Sequence, residues 1–245
     1  MGQFGGHQLR FYHCGDIGDI VFSMPVVKAM GGGTVYLDPL GGQHLDVIKA
    51  TTWDGRMKFD QAAAGYLAPL LRAQRYIEDV QLWSGQEYDV CLVEARRIFD
   101  KQRNIVSHYT DFFCLDYSVS DDGWLDVPDE PAVSGAVLLT RTLRYQSNYP
   151  KWTSLLHDLR GQELVFLGLP FEHEVFCRTF DVKPRYHPVA NALHAASLIK
   201  SCRMYISNQG ANHAIAVGLN KQPFLAETQF DENVCRFPNR SIEYF

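Results

Sequence analysis

The run Gly15-Asp16-Ile17-Gly18-Asp19 constrains this chain more than any other segment, because of what stands on each side of it. Residues 9–13 form a short apolar and aromatic stretch, and residues 20–30 carry apolar side chains at helical spacing up to Gly31-Gly32-Gly33. Strand, glycine turn and helix follow in that order. Residues 34–37 read as a second strand, which completes a β-α-β unit and calls for a parallel sheet. A loop rich in Gly and Pro, residues 38–43, follows it.

The same alternation continues. Helices are expected at residues 61–73 and 104–115, and strands at 77–83 and 89–94. Asp126-Val127-Pro128-Asp129-Glu130-Pro131 is acidic and twice interrupted by proline, the composition of a linker. Beyond it the rhythm restarts, with strands at 136–140, 164–167, 204–207 and 223–226. Helices are expected at 152–159, 171–180, 192–201 and 210–219. Two β-α series around a linker predict an α/β protein of two facing, doubly wound, Rossmann-like domains, residues 1–130 and 131–245, with ligands at the carboxyl ends of the strands.

Composition removes several function classes. A net charge of -5 carries no general attraction to phosphate polymers or anionic membranes, which argues against a large nucleic-acid footprint. Cysteines at 14, 91, 114, 177, 202 and 235 show neither C-x-x-C nor zinc-finger spacing, so reduced thiols are expected. No signal peptide is legible at the start, and no apolar run is long enough to cross a membrane, so a cytoplasmic protein is expected.

Three segments could carry chemistry. In the first, glycines let backbone N–H groups approach a ligand, while Asp16 and Asp19 offer carboxylates at a helix start. Taken alone, an Asp there is more commonly an N-cap. The G-x-G-x-x-G dinucleotide fingerprint is missing, and two acids would face a pyrophosphate, which disfavours a Rossmann oxidoreductase. The second runs from Leu138 through Arg141, Thr142 and Arg144 to Lys151-Trp152, where Arg141 and Lys151 bracket a loop suited to a diphosphate or simply solvated. The third is Ile206-Ser207-Asn208-Gln209-Gly210-Ala211-Asn212-His213, a strand end opening into a helix. Its N–H groups and polar side chains suit phosphate oxygens, and equally a cap with a buried polar network.

Taken in this order, the segments resemble glycosyltransferase family nine, the ADP-heptose-type heptosyltransferases. Gly18-Asp19-Ile20 with Pro25 six residues past the Asp is similar to the family's N-terminal motif, and that register selects Asp19 over Asp16. Residues 141–152, followed by Val165-Phe166-Leu167-Gly168 and Glu172, resemble the opening of its second domain. Residues 206–218 resemble its late D-[ST]-G-x-x-H-x-x-A segment, with Asn208 and Gln209 in place of the acid and the hydroxyl residue. The chain is also shorter than typical members and lacks their long C-terminal helical segment, which suggests a simpler hinge.

The resemblance implies a GT-B fold and an inverting transfer from a nucleotide-diphosphate sugar to an acceptor hydroxyl, by default on a glycan or lipid core. Asp19 would be the base, with Gly18 and Asp16 on the acceptor side. Arg141, Lys151, Asn208, Gln209, Gly210 and His213 would serve the donor and its phosphates. No cofactor or metal is implied, in keeping with the lack of an Asp-x-Asp pair. Arg96, Arg97, Lys101 and Arg103 form a basic stretch that suits a phosphorylated acceptor or a solvated face. The departures at Asn208 and Gln209 keep open a non-catalytic nucleotide or nucleotide-sugar binding protein. A transferase acting on a modified nucleic-acid base is a further alternative.

Overall fold

The computed structural model describes residues 8–42, 45, 59–100, 103–146, 149–227, 236–237 and 239–245. Gln43, Lys101 and Cys235 lie outside the described residues.

The first half comprises β1 (Leu9–His13), α1 (Ile17–Ala29), β2 (Gly33–Leu37), α2 (Gln61–Arg72), β3 (Ile77–Leu82), β4 (Val90–Cys91) and α3 (Ile105–Phe112). Its strands form a sheet in the order β3-β2-β1-β4, and these pairings are parallel. The second half comprises β5 (Val137–Thr140), α4 (Tyr149–Asp158), β6 (Leu164–Phe166), α5 (Pro170–Phe180), β7 (Arg185–Tyr186), α6 (Ala192–Ser201), β8 (Met204–Asn208), α7 (Ala211–Gly218), β9 (Phe224–Glu227) and β10 (Ile242–Tyr244). Its parallel sheet runs β10-β9-β8-β5-β6-β7. Counted from its own first strand, that order is the 3-2-1-4-5-6 of a doubly wound domain, which places a switch point between β5 and β8.

Both faces of each sheet are covered, and side-chain alternation distributes the strands between two apolar layers. On β1, Phe11 enters the main core, whereas Tyr12 packs with Cys14, Tyr36 and Val93 on the opposite face. On β5, Leu138 joins the main core and Val137 and Leu139 the outer layer around Trp152. The main core is continuous across the two halves: Ile20 and Val21 of α1 share it with Ala214 and Ile215 of α7. Helices α1 and α7 pack together, as do α2 and α6.

The acidic segment between the sheets is tied to both halves. Trp124 N and Leu125 N donate to Gly218 O at 2.8 and 3.0 Å, and Trp124 Nε1 donates to Val21 O at 3.0 Å. A Cβ at Gly218 would sit 2.8 Å from Leu125 Cδ1, so the close approach of this segment to α7 requires glycine. Lys200 Nζ donates to Val127 O at 2.6 Å and pairs with Asp129 at 3.2 Å. Phe237, Asn239 and Arg240 lie against the first half, and β10 after them pairs with β9 in the second sheet. Among the described residues no helix is long and apolar enough to cross a membrane.

Candidate active site at two facing helix starts

The first side of the site grows from the end of β1. Gly15 N donates to His13 Nδ1 at 2.9 Å, folding the glycine turn over the imidazole. His13 is buried, and loss of solvent together with nearby Arg96 pushes its pKa down to about 3. Because Nδ1 accepts, the neutral ring carries its proton on Nε2 and donates it to Tyr109 Oη at 3.2 Å. A Cβ on residue 15 would lie 2.8 Å from His13 Cε1 and 3.4 Å from Asp19 Oδ2, so only glycine leaves this arrangement undisturbed.

Asp19, in the first turn of α1, pairs with Arg96, and the two side chains are only 19% and 26% exposed. Burial works against the Arg96 charge, but Asp19 and Tyr109 overcome it and raise the guanidinium pKa. Asp16 is the N-cap residue of α1, yet its side chain makes no capping hydrogen bond. It lies instead 3.9 Å from Arg144 of the second half. The carboxylates at this helix start are therefore directed to cations, and neither serves as the expected side-chain cap.

The second side is built on the loop after β5 and the start of α7. An ideal Cβ at Gly18 would have Gly210 O and Ala214 Cβ at 3.9 Å, so α1 and α7 begin side by side. Asn208, buried at the end of β8, bonds through its amide to the backbone of Thr142 and Arg144. Gln209 is buried, Gly210 is the extended N-cap of α7, and Lys151 is exposed in α4. No group of three or more His, Cys, Asp or Glu residues is placed to hold a metal among the described residues.

Neither a protein-family model nor a curated protein matches the sequence. Solved structures share its fold. The glycosyl transferase family 9 protein from Veillonella parvula DSM 2008 superposes with a TM-score of 0.56 at 10% identity, over 97% of this chain and 85% of that one. The E. coli heptosyltransferase WaaC, solved with ADP-2-deoxy-2-fluoro heptose, gives 0.57 at 12% identity, over 98% of this chain and 93% of that one. The chain has the GT-B fold.

On this GT-B frame some expected site residues meet and others do not. Gly18, Asp19 and Gly210 gather where the two helices begin, with Asp16 reaching Arg144 beside them. Arg141 does not join them as a free cation. It is 2% exposed, its Nε bonds to Glu227 Oε2 at 3.3 Å, and its guanidinium lies over Tyr149, Trp152 and Phe180. Glu227 also accepts from Trp152 Nε1 at 2.8 Å, so a local carboxylate already balances the arginine. His213 is fully buried, its ring against Phe224 with centroids 5.2 Å apart. Of the basic stretch, the described Arg96, Arg97 and Arg103 pair with Asp19, Glu94 and Asp111.

Sequence reasoning passed over His13, Tyr109 and Glu227, and named Arg144 within its loop without giving it a role. Two of them carried a signal. His13 and Glu227 are polar residues at the carboxyl ends of their strands, the position from which α/β sheets present their functional groups.

The buried imidazole predicts a pH dependence of stability. The folded His13 pKa of about 3 lies below the ordinary 6.5, so the unfolded chain binds the extra proton between those values. The contribution is complete above pH 6.5 and is lost as pH falls toward 3, on the order of a few kcal/mol in all. Urea unfolding should therefore show lower stability at pH 5 than at pH 7.5, with a smaller difference in His13→Gln. Equal pH dependence in the two proteins would mean that His13 does not carry it.

Proposed function

We propose that this protein is an inverting, metal-independent glycosyltransferase, taking a sugar from a nucleotide-diphosphate donor to a hydroxyl of a glycan or lipid-linked acceptor. The observation that carries the reading is the placement of Asp19: a carboxylate held by Arg96 in the first turn of α1, beside the start of α7. The heptosyltransferase neighbour, solved with an ADP-heptose analogue, supports the donor class.

In the reaction the acceptor oxygen attacks the anomeric carbon and its proton passes to Asp19. The bond from that carbon to the phosphate oxygen breaks on the opposite face, inverting the centre, and its electron pair leaves with the nucleoside diphosphate. The backbone N–H groups opening α7, together with Lys151, receive that negative charge. Protein groups supply the whole stabilisation, so neither a metal nor a cofactor takes part. The five described cysteines are all free, which supports a reducing, cytoplasmic setting.

Thermal-shift measurements with ADP, GDP, UDP and dTDP test the donor site. One of them at a hundred times its Kd should stabilise the protein by about 2.7 kcal/mol. Excess EDTA should leave that shift and the transfer rate unchanged. No shift with any of the four would sink the donor assignment, and a rate abolished by EDTA would sink the metal-independent route.

A further inference from the structure

The amide of Asn208 is fully used. Oδ1 accepts from Thr142 N at 2.9 Å, and Nδ2 donates to Thr142 O at 3.0 Å and to Arg144 O at 2.6 Å. A carboxylate of the same shape has no donor for either carbonyl and would set a buried charge against both. The side chain is 1% exposed, so water cannot compensate. An amide, and not the acid of the family-nine motif, is what this site needs.

What Asn208 holds is the loop from β5 to α4. Residue 142 lies close to the start of α7, where a Cβ on Gly210 would meet Thr142 Cγ2 at 3.2 Å. At the head of the loop Arg141 is fixed by Glu227 and three aromatic rings. Anchored at both points, the loop leaves a different cation exposed beside the start of α1. Arg144 is 66% exposed, with Nη1 3.9 Å from Asp16 on the first half and Nη2 donating to Tyr145 Oη at 2.7 Å.

We propose that Arg144 receives the departing phosphate of the donor and that Asn208 is its positioning residue, an assignment that rests on the donor reading above. As the carbon–oxygen bond to the phosphate breaks, the electron pair stays on that oxygen and Arg144 donates hydrogen bonds to the resulting anion. Asp16 holds the guanidinium when no donor is bound, so binding exchanges one anion for another.

The test compares the tightest binder among ADP, GDP, UDP and dTDP with its own nucleoside, by calorimetry on the full chain. Arg144→Gln, an exposed substitution, should weaken the diphosphate about tenfold and leave the nucleoside unchanged. Asn208→Asp should do the same, and the double variant should be no weaker than either single one, because Asn208 acts through Arg144. Should Asn208→Asp fail to fold, Asn208→Ser replaces it with the same expectation. Unchanged diphosphate binding in Arg144→Gln overturns the assignment of Arg144. Equal weakening of nucleoside and diphosphate, or additive effects in the double variant, overturns the positioning role of Asn208. A wild type that binds no diphosphate removes the donor reading itself, an outcome separate from these.

Discussion

Asp19→Asn is expected to lower kcat by about 10²- to 10⁴-fold, the loss typical of removing a positioned general base. The substitution is nearly isosteric, and it removes the group that takes the acceptor proton while leaving the donor loops of the second half untouched. KM for the donor should therefore stay within about twofold, because an interaction made only during proton transfer does not contribute to ground-state binding. Folding should survive. Asp19 and Arg96 are 19% and 26% exposed, and solvent takes up part of the freed guanidinium, for a stability loss on the order of 1 kcal/mol. Steady-state kinetics and urea unfolding on the same preparation separate the two effects. A kcat within a few-fold of wild type in a folded Asp19→Asn protein would remove Asp19 from the chemistry.

The route to Asp19 shows what a sequence like this discloses. Strand β1 coincides with the expected residues 9–13, because a glycine turn cuts its apolar run sharply. Helix α1 begins at Ile17, three residues before the apolar periodicity starts, since the first turn is the part directed to the site. The strands missed were β7 and β10, of two and three residues at the two edges of the second sheet. Such strands form because a neighbour offers a ladder, and periodicity cannot register so short a run. The expected strand at 89–94 is cut to Val90–Cys91 for a related reason. Among the described strands only β1 pairs with it, and Leu92–Ile98 winds into a 3₁₀ helix that brings Arg96 to Asp19.

The candidate site divides along the same line. Asp19 stands out in the sequence because its motif is local, whereas its partner Arg96 lies 77 positions away and reads as one of several basic residues on a charged stretch. Arg141 and Arg144 look alike in sequence. Glu227 separates them, and its pairing opposite Asn208 in the β8–β9 ladder exists only once the second sheet has formed. Charge spacing alone therefore names the loop and cannot choose the cation.

Phe237→Ala is expected to destabilise the protein by about 3 kcal/mol, the usual cost of emptying a buried aromatic site. Phe237 is 1% exposed and stacks on Phe22 of α1 with ring centroids 5.4 Å apart. Its backbone N–H donates to Tyr244 Oη at 2.8 Å, which links the same residue to the edge of the second sheet. Three residues on, Arg240 donates to the carbonyls of Ser120, Asp121 and Asp122 and lies over Trp124, while Asn239 Nδ2 reaches Asp121 Oδ1 at 2.8 Å. The returning segment thus clamps α1 and the stretch 120–124 ahead of the acidic linker from outside, as the continuous core joins α1 to α7 from within. At about 2–4 °C per kcal/mol for a chain of this size, Tm should fall by roughly 6–12 °C. Because the apolar core crosses both halves, the melt should stay a single transition, with tryptophan fluorescence and circular dichroism moving together. Two separated transitions in the variant would show that the returning segment, and not the shared core, couples the halves; an unchanged Tm would show that it couples nothing.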